Sequence, residues 1–356
     1  MAKSIGATTV EDFAAVILNC YIPVNHQACS ISDTSTTQNV EAYNSTLYHL
    51  KDALLSPEQV FLETAAAISC LAMSELLFST SQDAFGAHLT GLGALIESHK
   101  PEEFSSDIFH AIFVGSRPLL IFHAIFTRKS TFLAQKDWKS VPFCHRPPSD
   151  MQSILGDVAS LPSILEEIDL LRINFDGAAP IRALKLKVDV LNILDCLSTW
   201  KDRFEMATTY LPSPPDSEQD SDHSDDPEQL FWFPNLLAAN INVHVWAFEL
   251  ICLAEMEKLD SFLREHGCCT ELEDDSFGER DIRTRTVELA AKICRSIEYL
   301  IQDEMRLHGP ASAIFPLQIA FETLNKNQRA NATCIQRCRE FFKRIRHRGY
   351  QARLPL

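Results

Sequence analysis

Glycine is scarce in this chain, at 11 of 356 residues. No stretch alternates apolar and polar residues for long enough to make a useful strand. Tight hairpins therefore have little support, and a β-rich fold is excluded. Paired CxxC units are absent, as are two histidines at helical spacing with an acid between them. Those are the patterns that hold structural or catalytic zinc. Cys334 and Cys338 lie one helical turn apart without a matching pair, and Cys268-Cys269 are merely adjacent. There is no GxSxG elbow and no catalytic cysteine signature. Gly91-Leu92-Gly93 lacks the third glycine of a phosphate-cradling turn and lies in a helical pattern. No catalytic, cofactor-binding or metal-ligating residue is assigned, and no cofactor is expected.

Positive charge is also short. Thirty-two Lys and Arg face 48 Asp and Glu, a net charge of −16. That balance argues against a surface that grips nucleic acid or an anionic membrane as a whole. The start, MAKSIGATTVEDFAAVILNCYIP, has acids inside its apolar stretch and does not read as a secretory signal. No segment approaches the roughly 20 apolar residues of a spanning helix, so no membrane is expected. The eleven cysteines are odd in number, and Cys70, Cys196, Cys252 and Cys294 sit within apolar helical patterns. They read as reduced thiols of a nuclear or cytosolic protein. The triplets at Asn44 and Asn331 are then chance matches to a glycosylation signal.

What is present is helical. Ser56-Pro57-Glu58-Gln59 has the cap, the first-turn proline and the third-position glutamine of a helix start. Leu184, Val188, Leu191 and Leu194 recur at helical spacing. So do Ile241, Val245, Phe248, Cys252, Met256 and Leu259, and then Val287, Ala290, Cys294, Ile297 and Ile301. The fold class is all-α, an irregular bundle of about ten helices in a single domain over residues 1–356. Residues 211–229, LPSPPDSEQDSDHSDDPEQ, carry four prolines and no Lys or Arg, and read as a disordered acidic loop. A weaker loop covers Gly267 to Gly278. The Leu230-Phe231-Trp232-Phe233 run after the acidic loop has two readings, an acidic-hydrophobic activation segment or core aromatics leading a helix. A basic C-terminal helix is expected at 328–353. Its FFKRIRHR suits either a phosphate or import contact or a last turn favoured by the helix dipole. The acid pairs Glu102-Glu103 and Glu166-Glu167 read as solvated helix starts or faces.

The most specific stretch is TRKSTFLAQKDWKSVPF, Thr127 to Phe143. Phe132 and Trp138 are large apolar anchors, and Pro142 ends a helix or turn. Arg128 and Lys129 are expected to offset the last carbonyls of the preceding helix. On that reading Trp138→Ala costs roughly 3–5 kcal/mol and Arg128→Ala only about 0.3–1 kcal/mol. His123 and His145 flank the stretch and read as hydrogen-bonded core or edge residues.

Arg128-Lys129, Ser130, Phe132-Leu133, Asp137-Trp138 and Pro142-Phe143 together resemble a signature of the fungal-specific transcription factor domain. That is the large helical region following the zinc cluster in many fungal regulators. Three more segments resemble the family in the expected order. They are His88 to Arg117, with Lys100 where glycine is usual before Pro101, then Leu161 to Asp169, then Ser296 to Leu324 with Gly309-Pro310. They span residues about 85 to 325. The chain lacks the six-cysteine cluster with which such regulators commonly begin. The resemblance therefore implies a nuclear role in transcription through protein partners or a homodimer, with direct DNA binding in doubt. It admits a small-molecule effector. Arg128, Phe132, Trp138, Pro142, Gly309 and Pro310 are the family-motif residues, expected to be structural. The alternative is an enzyme or small-molecule carrier on an all-helical fold.

Overall fold

The computed structural model describes residues 45–47, 61–77, 79, 81, 83–173, 176–205, 230–267, 279–306, 308–326 and 331–350. It is 84% helical and has no strands among the described residues, as the pattern and glycine content require. Among the described residues eleven α-helices follow one another: α1 (Phe61–Leu77), α2 (Ala84–Glu97), α3 (Asp107–Thr127), α4 (Lys136–Ser140), α5 (Asp150–Val158) and α6 (Leu161–Ile173), then α7 (Ala179–Glu205), α8 (Leu236–Glu265), α9 (Glu279–Leu300), α10 (His308–Asn325) and α11 (Ala332–His347). The cap at Ser56, the Asn44 triplet, the acidic loop 211–229 and residues 268–278 lie outside the described residues.

Of the described residues, those up to Thr127 together with Thr131–Gly156 form one compact unit. Arg128–Ser130 and those from Asp157 onward form a second. No break in composition marks this division.

In the first unit α1, α2 and α3 pack on one another. Pro118 lies inside α3 and has no N–H to give the Val114 carbonyl four residues back. The side-chain amide of the buried Gln152 donates to that carbonyl instead, at 3.0 Å. Arg117, also buried, donates to both the Gln152 carbonyl and its side-chain oxygen, at 2.6 and 2.9 Å. The carbonyl freed by the proline is thus satisfied by a neighbouring side chain.

In the second unit α8 is the central rod, about 45 Å long from its 30 residues. Asn235 caps it, its side-chain oxygen accepting from the Ala238 N–H at 2.8 Å. All six residues of the expected stripe from Ile241 to Leu259 are buried. α7, α9 and α10 pack against this helix. Its burial brings two acids inside. Glu249 is paired with Arg285, and Glu255 with Lys258 and Arg128. α3 and α8 are in fact long and apolar enough, by length and composition, to cross a membrane. Of the α8 window, 78% is buried inside the fold.

α11 lies on α9 through contacts of nearly constant offset. Cys338 meets Cys294, Arg344 meets Glu298, and Arg348 meets Gln302 and Asp303. A constant offset means that the two helices run parallel. The helix ends at His347, inside the 328–353 expected for it, and 328–330 and 351–353 lie outside the described residues.

Two stripes differ from expectation. On α7 the buried line is Ala179, Ala183, Leu186, Val190, Ile193 and Leu197, not the one through Leu184 and Val188. On α9 Val287 is exposed, while Ala290, Cys294, Ile297 and Ile301 are buried as expected.

Candidate functional site

The stretch from Thr127 to Phe143 splits into a charged clasp and an aromatic corner, and the two pack in different units. Thr127 closes α3 by donating its hydroxyl to the His123 carbonyl at 2.8 Å. Arg128 then turns the chain at φ 53°, a left-handed conformation that a side chain with a Cβ rarely adopts. The guanidinium reaches α6 and α8. Its Nε and Nη2 donate to the two Asp169 oxygens at 2.7 and 2.8 Å. Nη1 and Nη2 donate to the two Glu255 oxygens at 2.9 and 3.1 Å, and Nη2 also reaches the Leu165 carbonyl at 3.2 Å. Burial opposes the charge on Arg128, but the bonds to Asp169 and Glu255 outweigh it and push its pKa above the ordinary arginine range. The expected role for Arg128, neutralising the carbonyls at the end of its own helix, is therefore corrected. The left-handed turn gives it two carboxylates instead.

Lys129 and Ser130 extend the clasp. The Lys129 ammonium donates to Glu166 Oε1 at 3.0 Å, and the Ser130 backbone N–H donates to Oε2 at 2.9 Å. The Ser130 N–H, and then Lys129, hold the Glu166 carboxyl down at about 2. Glu166 is thus a bonded group rather than the solvated face residue expected. The base pair of one motif segment grips the acids of another, Leu161 to Asp169.

In the other half, Trp138 is buried against Phe104, Phe113 and Phe132, with ring centroids 5.5, 5.8 and 4.8 Å away. Phe143 meets Phe113 at 5.9 Å and the His110 ring edge-on at 5.7 Å. The Arg117 guanidinium lies over Phe143, 5.3 Å from its centre. Pro142 is buried in the 3-10 turn Val141–Phe143 that follows α4. His123 sits 3.3 Å from the Thr90 hydroxyl, and burial lowers its pKa.

Gly309 and Pro310 lie together at the start of α10, away from Trp138 in sequence and in the other unit. A Cβ on Gly309 would overlap the Leu300 carbonyl oxygen and Met305 Cβ. Glycine is therefore required where α10 starts against the end of α9. Pro310 fits the first turn, where its missing N–H costs nothing.

The aromatic run after the acidic segment is core. Phe231 and Phe233 are buried, Phe231 stands 6.2 Å from Trp246 under the Arg295 guanidinium, and Phe233 meets Tyr299 at 5.4 Å. The C-terminal bases are partly committed too. Arg344 makes two bonds to Glu298, at 2.6 and 2.7 Å, which lower that carboxyl's pKa, and Arg348 donates to Asp303 at 2.6 Å. Cys252 and Cys294 are buried as the apolar patterns suggest and Cys70 is half-buried, whereas Cys196 is exposed because α7 turns its other face inward; Cys338 is buried as well.

Sequence reasoning placed an apolar stripe on α7 but not its surroundings. Ile181 is 71% exposed, Val188 55% and Leu191 38%, with Leu184 half-buried between them. Among the described residues no group of three or more His, Cys, Asp and Glu is placed to hold a metal ion. No protein-family model, curated protein or solved structure matches this chain.

Proposed function

We propose that this chain is a transcription-regulator-like protein of the nucleus that acts through its helical domain by protein contacts rather than by reading DNA. The observation that carries this reading is the apolar stripe on α7 formed by the exposed Ile181, Val188 and Leu191 with the half-buried Leu184 between them. The order of the motif segments supports the transcription role. The net charge of −16 and the pairing of Arg128, Arg344 and Arg348 with acids speak against a phosphate-binding surface.

Spacings of three, four and three residues make the stripe a short heptad seam. The occupant that fits it is a second copy of the same helix. A two-fold pairing of this kind is self-complementary.

The test joins the full chain to an unrelated DNA-binding module and reads a reporter gene, alongside sedimentation of the purified chain. The parent is expected to sediment as a dimer and to shift reporter output. Val188→Asp is expected to sediment as a monomer with unchanged helical circular dichroism and to return output to that of the module alone. A monomeric parent at tens of micromolar sinks the docking reading. A dimer with no effect on the reporter sinks the transcriptional one.

A further inference from the structure

The buried sulfurs of Cys294 on α9 and Cys338 on α11 are 3.2 Å apart, across 44 residues of sequence. Their partners hold the two helices in register on the same side. Glu298 and Arg344 lie one or two turns further along, and Gln302 and Asp303 meet Arg348 beyond them. A disulfide bond is about 2.05 Å long, so the sulfurs need to close by roughly 1 Å. Small side-chain rotations on two helices already fixed by ion pairs can supply that. No third ligand accompanies the pair, since no described cluster of three metal-binding side chains includes it.

We propose that Cys294 and Cys338 form a modification site, a reversible disulfide that clamps the basic helix α11 onto α9. The oxidant is a low-molecular-weight disulfide such as oxidised glutathione. One cysteine sulfur, losing its proton, attacks a sulfur of the small disulfide, and one glutathione thiol leaves. The second cysteine sulfur, losing its proton in turn, attacks the protein sulfur of this mixed disulfide, and the second glutathione thiol leaves. The protein pair loses two electrons and two protons, and the small disulfide gains both. The hydrogen bond with Cys338, together with burial, raises the Cys294 pKa well above its ordinary value. The Cys294 thiol is therefore protonated and slow at neutral pH, and the bond forms faster as pH rises. The proposal does not rest on the transcriptional reading.

Trypsin separates the relevant cysteines. Arg337 divides Cys334 from Cys338, and Lys292 and Arg295 bracket Cys294. The full chain, reduced and then held overnight with excess oxidised glutathione without denaturant, is alkylated, digested and weighed by mass spectrometry. The expected product joins Ile293-Cys294-Arg295 to Cys338-Arg339, two hydrogens lighter than the reduced peptides together. The oxidised chain should melt about 5–10 °C higher, and dithiothreitol should reverse the shift. The Cys338→Ala chain should show neither the cross-link nor the shift. Alkylation of both Cys294 and Cys338 after the treatment overturns the proposal. So does a link from Cys294 to Cys334, or glutathione left on either cysteine with no internal bond.

Discussion

Replacing Arg128 removes one side chain from two carboxylates at once, and the two losses differ in size. The Glu255 side chain is 4% exposed, so its charge depends on protein partners. Removing one member of a buried ion pair costs about 3–5 kcal/mol, because the other charge is stranded. Lys258 remains 2.7 Å from Glu255 and moderates that figure. Asp169 is 49% exposed, and water replaces much of what it loses, so its share is about 0–1 kcal/mol. Arg128→Ala should therefore cost about 2–4 kcal/mol, against the 0.3–1 kcal/mol that a base at a helix end would carry. It approaches the roughly 3–5 kcal/mol expected for Trp138→Ala, which opens a cavity among Phe104, Phe113 and Phe132.

A second substitution separates the clasp from the backbone turn that aims it. At φ 53° every residue with a Cβ is strained, by roughly 1–2 kcal/mol. Arg128→Gly loses the same bonds as Arg128→Ala but relieves that strain, so it should be the more stable of the two by about 1 kcal/mol. Glu255→Gln removes the stranded charge, so the Arg128→Ala/Glu255→Gln double variant should be less damaged than the two single losses added together. Urea unfolding followed by far-ultraviolet circular dichroism measures the parent and the four variants. An Arg128→Ala midpoint that implies a loss below about 0.5 kcal/mol refutes the buried-clasp reasoning. Strict additivity of the double variant refutes the coupling to Glu255.

Gly309 and His244, both in the second unit, carry two further outcomes. Gly309→Ala drives a methyl group into the Leu300 carbonyl and Met305, and should cost about 2–3 kcal/mol in the same unfolding assay, whereas Gly91→Ala, with nothing within 4 Å of the added carbon, should be neutral or stabilising. His244 is buried against Phe315, and burial, only partly opposed by its bond to the Asn240 carbonyl, pulls its pKa down to about 4 from an ordinary 6.5. The unfolded chain takes up that proton below 6.5 and the folded chain only near 4. The stability contributed is therefore complete above 6.5 and lost as pH falls between the two values, by about 3 kcal/mol at most. His244→Phe should flatten that part of the stability profile, and parallel acid limbs for parent and variant would count against the assignment.

The helices were legible because their signal is local. A stripe such as Ile241 to Leu259 has one apolar face and is buried as read. On α7 the sequence is apolar on two sides, through Ala183, Leu186 and Val190 and through Leu184, Val188 and Leu191. Periodicity finds both stripes and cannot rank them, because which one turns inward depends on the shape of α8 opposite. The alanines on the buried line let two helices approach closely, and the larger side chains are left outside. The corner shows the same limit in another form. Trp138 and Phe132 announce themselves by size, and Gly309-Pro310 by turn chemistry. The partners of Arg128 lie 41 and 127 residues further along the chain, beyond the reach of any local rule. Glu255 interrupts an otherwise apolar face of α8, and an acid placed there must find a cation or stay protonated. Lys258, one turn on, already offers that cation in the sequence, so the second base, Arg128 held in a left-handed turn, is visible only in the fold.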